Sequence, residues 1–221
     1  MAASKKNQTI NDQIIISKYM DYVLEQDHYP NSVYKFCKDN KIKEEEFYSF
    51  FGSLDNVDNA IWSTFFINAM TAMNNNDEYG AFSNRDKLLT FFYTFFEILT
   101  LNRSYVLFAL NRYSMPIENL KQLKDLRVHI KDFAGQLIKE GNEDKSFKIT
   151  KNPLSVYAEG TWLQFLFILK FWKEDSSPGF EKTDIAIEKS VNTIFDLFDN
   201  TPLNNVLDFG KFLWKEKIKW N

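Results

Sequence analysis

Residues 30–62 read PNSVYKFCKDNKIKEEEFYSFFGSLDNVDNAIW, and this stretch decides how the rest of the chain is understood. Pro30 opens a short segment, residues 32–39, in which Val33, Phe36 and Cys37 share one helical face. The turn Asn40-Lys41-Ile42 directs Ile42 to the core, and a second short helix takes Phe47, Tyr48, Phe50 and Phe51 as its apolar side. Gly52 ends that helix. Ser53 is a favourable N-cap and Asp55 suits the first turn of a long helix beginning at Leu54. Two short helices across a tight turn, followed by a long one, outline a helix-turn-helix.

Working outward, residues 1–9 are polar, and residues 10–25 place Ile14, Ile15, Tyr19, Tyr22 and Val23 at helical spacing. Helix four carries Val57, Ile61, Trp62, Phe65, Phe66 and Met70, and residues 74–80 form a polar break. Ser83 with Asp86 three residues on forms the pattern of a capping box for helix five, residues 85–101. That helix is apolar nearly all round. Its exceptions, Asp86, Thr90, Thr94 and Glu97, form one narrow stripe that faces solvent or lines a cavity.

Residues 104–112 continue as a sixth helix, and Pro116 is placed for the first turn of a long seventh, residues 117–139. After a charged loop, Asn152-Pro153 opens helix eight, residues 154–173. A Ser/Pro/Gly connector leads to helix nine, residues 182–198, and Thr201-Pro202 opens helix ten, ending near Trp220. No hairpin signal and no internal repeat interrupts this series. The fold class is all-α: a three-helix head, residues 1–53, and a larger helical body, residues 54–221.

Composition agrees. Only 7 Gly and 5 Pro punctuate 221 residues, while 22 Phe, 10 Tyr and 5 Trp make a bulky interior. The net charge of −3 gives no general attraction for polyanions. The lone Cys37 excludes an internal disulfide, and its place calls for a small buried thiol rather than a nucleophile. No secretory h-region precedes the first helix, and the apolar run 162–172 is too short to span a bilayer, so a cytoplasmic protein with no membrane span is expected. His28 and His129 have no partners at ligand spacing, and no phosphate loop, dinucleotide fingerprint or nucleophile elbow is present. These readings predict no metal, no cofactor and no enzyme.

The head resembles the TetR family of bacterial one-component regulators. Phe36-Cys37 stands at the family's aliphatic-Ala pair, Ile42 at its turn valine, and residues 47–53, FYSFFGS, match its Leu-Tyr-X-aromatic-Phe-X-Ser run. The chain departs at Lys41, where the family has the turn glycine, at Leu54, where it has a phosphate-contacting lysine, and at Glu44-Glu45-Glu46, where it has small or polar residues. Residues 1–56 hold seven lysines against nine acidic residues, a net of −2, which is few cations for a phosphate-binding module. The three glutamates suit the positive end of a helix, and one at a base edge can accept from cytosine N4.

The resemblance implies a homodimer paired through the last two helices, with operator DNA and a small apolar ligand as partners. Ser32, Lys35, Lys43, Glu44 and Tyr48 are then the DNA-facing candidates. Phe92, Tyr93, Phe96 and Glu97 of helix five, with Trp162 and Phe165 of helix eight, are the ligand-binding candidates; the same rings equally suit a filled core. Phe91, Phe95 and Phe167 belong to the same aromatic set, with Thr94, Glu159 and Gln164 as orienting groups. The alternative is a protein of the same fold that has lost DNA binding and carries a lipid or isoprenoid.

Overall fold

Helical periodicity and capping set the elements of the computed structural model, which describes residues 9–113, 116–143 and 154–200. Ten α-helices follow in order among them: α1 Asp12–Gln26, α2 Val33–Asn40, α3 Glu44–Tyr48, α4 Leu54–Asn74, α5 Asn84–Leu101, α6 Arg103–Leu110, α7 Pro116–Asn119, α8 Lys124–Glu143, α9 Leu154–Glu174 and α10 Glu181–Asn200. No strand occurs among the described residues. The expected Asn152-Pro153 opening and the expected tenth helix after Thr201 lie outside them.

The helices gather into two compact units, Met1–Asn68 with Ile98–Val128, and Ala69–Glu97 with His129–Asn221. In the first, Asn11 caps α1 by accepting the Ile14 amide at 2.9 Å, and Ile15, Ile16, Tyr19, Tyr22 and Val23 supply the buried face. Ile42 is buried in the turn as expected, and Val57, Ile61 and Trp62 of α4 are fully covered.

Ser53 caps α4 by accepting the Asn56 amide at 3.2 Å. In the second unit Ser83 caps α5 by accepting the Asp86 amide at 3.1 Å, while its hydroxyl donates to Asp86 Oδ2 at 2.6 Å. Asn84 Nδ2 donates to Leu137 O at 2.6 Å, tying the start of α5 to α8.

Two expectations are corrected. The single seventh helix over residues 117–139 is broken into α7, a 3-10 turn at Lys121–Leu123, and α8. The buried Asn119 exchanges two hydrogen bonds with the Tyr113 backbone at 2.7 and 2.8 Å, and Gln122 Nε2 donates to Ala109 O and Asn119 O, both at 2.9 Å. These side-chain bonds compete with the helical ladder and end it. The apolar side of α3 is also narrower than expected: Phe47 and Phe51 are buried, but Tyr48 and Phe50 are exposed, because α3 has a single turn and cannot bury four rings on one side.

Candidate functional site

The head holds α2 and α3 on a core of rings. Tyr19 and Tyr22 of α1 meet Phe36 edge-on at 5.7 and 6.0 Å, and Phe36 meets Phe47 at 6.1 Å. Ser32 caps α2 by accepting the Lys35 amide at 3.1 Å. At its other end Ile42 N donates to Cys37 O at 2.9 Å and Lys41 takes the left-handed conformation, φ 58° and ψ 38°. This is a Schellman turn with lysine where glycine is unstrained.

The Lys43 amide donates to Glu46 Oε2 at 3.1 Å, so one of the three glutamates caps α3 from within. Lys43 Nζ lies 3.5 Å from Glu45, and Lys35 Nζ lies 3.0 Å from Asp39. Glu44 is exposed. Burial, with the charge of Glu44 adding, pushes the Cys37 thiol up to about 11, which keeps it a packing thiol at neutral pH.

Of the DNA-facing candidates, then, Ser32 serves as a cap, Lys35 and Lys43 are paired with acids in their own helices or turn, and Glu44 and Tyr48 stand in solvent. Tyr34 and Phe50 are exposed on the same module; sequence reading did not single out Tyr34 and assigned Phe50 to the apolar side. The signal was present: Phe36, Phe47 and Phe51 already fill the head's interior, leaving further rings in residues 34–50 in excess of what packing needs.

A buried polar cluster lies in the same unit. Asp58 Oδ2 accepts from Arg112 Nη1 at 2.6 Å, and Asp58 Oδ1 accepts from the Tyr105 hydroxyl at 3.3 Å. The guanidinium sits 4.0 Å from the Tyr29 ring centroid. Burial raises the Asp58 pKa despite the opposing pull of Arg112 and a Tyr19 hydrogen bond. Arg112, Tyr113 and Gln122 border a cleft of about 540 Å3 beside it.

In the second unit Phe92, Phe96, Trp162 and Phe165 come together as one packed cluster. Phe92 meets Phe96 at 6.5 Å, Phe96 meets Phe165 at 5.9 Å, and Trp162 stacks on Phe165 at 5.2 Å. Tyr93 and Glu97 are on the exposed side of α5, Thr94 is half-buried, Glu159 is paired with Lys131, and Gln164 donates to Ser190 at 3.0 Å. Phe167 leaves this cluster altogether. It lines, with Leu163, Phe171, Ile185 and Gly160, an apolar groove of about 770 Å3 between α9 and α10.

Among the described residues no group of three His, Cys, Asp or Glu side chains is placed to hold a metal ion, and no helix is long and apolar enough to cross a membrane.

A family model described as "Tetracyclin repressor-like, C-terminal domain" matches residues 87–213. The chain belongs to the TetR family. A solved structure assigned to a TetR-family transcriptional regulator from Syntrophomonas wolfei shares its fold with a TM-score of 0.64 at 16% identity, covering 86% of this chain and 95% of that one. No curated protein matches the sequence.

The matched span of this TetR-family chain is body rather than head, so membership and the residues 47–53 run are independent signals that agree. The groove between α9 and α10 falls within the matched span as well.

Proposed function

We propose that the chain is a homodimeric, ligand-responsive transcriptional regulator of the cytoplasm, in which residues 1–53 bind operator DNA and residues 54–221 pair the protomers and sense an apolar effector. The observation that carries this reading is the helix-turn-helix itself: two short capped helices joined by a Schellman turn, in a chain of TetR membership. A twofold pair of such heads enters successive major grooves about 34–36 Å apart.

The pairing surface proposed is the α9/α10 groove. Leu163, Phe167 and Phe171 recur at intervals of four on α9 and are exposed, as is Ile185 on α10, and a self-complementary apolar face of this kind is what a twofold contact covers. Of the last two helices that the resemblance implies for the seam, residues 182–198 lie in α10 and contribute to this groove, and the helix after Thr201 lies outside the described residues. The effector proposed is a small apolar molecule inserting at Phe92, Phe96, Trp162 and Phe165, where it must displace ring contacts to enter; Tyr93 and Glu97, on the exposed side of α5, face away from that cluster.

The test is a fluorescence titration against mixed duplex DNA at about 50 mM salt, where even non-specific affinity is measurable. Binding supports the regulator. No binding, together with a lipid or isoprenoid found by native mass spectrometry on the purified protein, would establish the alternative carrier instead.

A further inference from the structure

Resting on the regulator reading, we infer that the head grips duplex DNA through exposed aromatic rings, Tyr34, Tyr48 and Phe50, and neutralises few phosphates. These three side chains are 59%, 53% and 45% exposed, while Phe36, Phe47 and Phe51 beside them in sequence fill the interior. Tyr48 meets the Phe47 ring edge-on at 5.5 Å, yet each of the three rings leaves a large surface in water on a capped module, and that surface is turned outward.

The cations point the same way. Lys35 is held by Asp39 and Lys43 by Glu45, which leaves Lys38 and Lys41 on this module with no carboxylate within 4.0 Å among the described residues. Lys38 instead rests its ammonium 5.8 Å from the Tyr34 ring. Glu44 and Glu45 stand exposed at the start of α3 and repel phosphate.

Tyrosine hydroxyls donate to phosphate oxygens without a counterion, and a phenyl edge packs on the thymine methyl in the major groove. Duplex DNA is the occupant that fits because Tyr34 and Tyr48 ride on the two short helices of a helix-turn-helix, the elements that enter the groove, and Phe50 stands in the turn that ends the second.

Lys38 and Lys41, the two lysines of residues 32–51 not held by a carboxylate, make about four phosphate contacts per dimer, and at about −0.9 per contact the slope of log K against log salt is near −4. A module with roughly 6 to 10 contacts gives a slope of about −5 to −9.

The experiment uses the full chain and a fluorescent duplex selected by it from random DNA at about 50 mM salt. Anisotropy titrations are repeated up to about 200 mM, and with Tyr34→Ala, Phe50→Ala and the pair Lys38→Gln, Lys41→Gln. The expected result is a slope no steeper than about −4, a loss of about tenfold or more for each ring variant, and a slope flattened further by the lysine pair. Circular dichroism and melting temperature of the ring variants stay at wild-type values, since both side chains are exposed. A slope of about −5 or steeper, or ring variants within about twofold of wild type, overturns the inference while leaving the regulator standing. Failure of the wild type to bind any duplex at about 50 mM salt overturns both, and capture of a protein partner by this face would then explain the rings.

Discussion

Arg112 closes over the one acid of its cluster that water barely reaches: its Nη1 donates to Asp58 Oδ2 at 2.6 Å, and Asp58 is 3% exposed. The pair joins α4 to the end of α6, and Tyr29 carries the guanidinium from below at 4.0 Å. Removing one partner of such a pair strands the other charge in low dielectric, so Arg112→Met should lower unfolding free energy by about 3 kcal/mol at pH 7. The sign of the pH dependence follows from Asp58, whose folded pKa burial already raises and which loses its counter-charge in the variant. An acid with a raised folded pKa opposes folding only while ionised, so the deficit should shrink as pH falls from 7 toward 5. Urea midpoints of wild type and variant across that range measure it; a deficit constant with pH would mean that Arg112 acts by packing on Tyr29 alone.

Asp175 gives the opposite sign. It stands between α9 and α10, where Oδ1 accepts from the amide and hydroxyl of Ser177 at 2.8 and 2.7 Å and Oδ2 accepts from those of Thr183 at 2.9 and 2.7 Å. Burial works to raise its pKa, but the bonds from Thr183 and Ser177 outweigh it and hold the carboxylate at about 2. A depressed folded pKa contributes stability above the unfolded value of about 4 and loses it as pH falls through about 2. Asp175→Asn should therefore be destabilised at pH 6, with the gap to wild type closing between about pH 4 and pH 2 in denaturant melts.

Lys41 tests the Schellman turn. A non-glycine residue in the left-handed region costs roughly 1–2 kcal/mol, and glycine's larger unfolded-state entropy returns part of the gain. Lys41→Gly is expected to stabilise the chain by about 1 kcal/mol. Asp27, at φ 55° after α1, is the internal comparison, because aspartate tolerates this region better than lysine and Asp27→Gly should gain less. Equal gains at both sites would remove side-chain strain as the cause.

The fold was legible because helical spacing and caps are local. Ser53 and Ser83 cap where their sequence patterns place them, and Ile42 fills the turn. What a periodic pattern does not carry is which apolar face another element covers. Phe165 and Phe167 both look like interior rings on helix eight, yet one stacks on Trp162 and the other lines an open groove. Phe47 and Phe50 divide in the same way in the head. The break before α8 was hidden for a different reason: Asn119 and Gln122 are acceptable helix residues, and only their long-range bonds to Tyr113 and Ala109 end the helix.

The groove between α9 and α10 makes the pairing proposal quantitative. Leu163 and Phe167 are 64% and 58% exposed, one turn apart on α9, and a twofold contact buries each of them twice. Fully burying a side chain of this kind contributes about 1.5–3 kcal/mol, so placing a charge at Phe167 removes two such contributions and adds the cost of two desolvated charges. Phe167→Lys should raise the dimer dissociation constant by at least about a hundredfold, and Leu163→Lys combined with it should give a monomer at micromolar concentration by sedimentation. Because both side chains lie outside the Phe96–Phe165–Trp172 cluster, the monomer should keep its helicity by circular dichroism. An unchanged sedimentation coefficient in the double variant would move the seam off α9, and a wild type already monomeric at those concentrations would remove it.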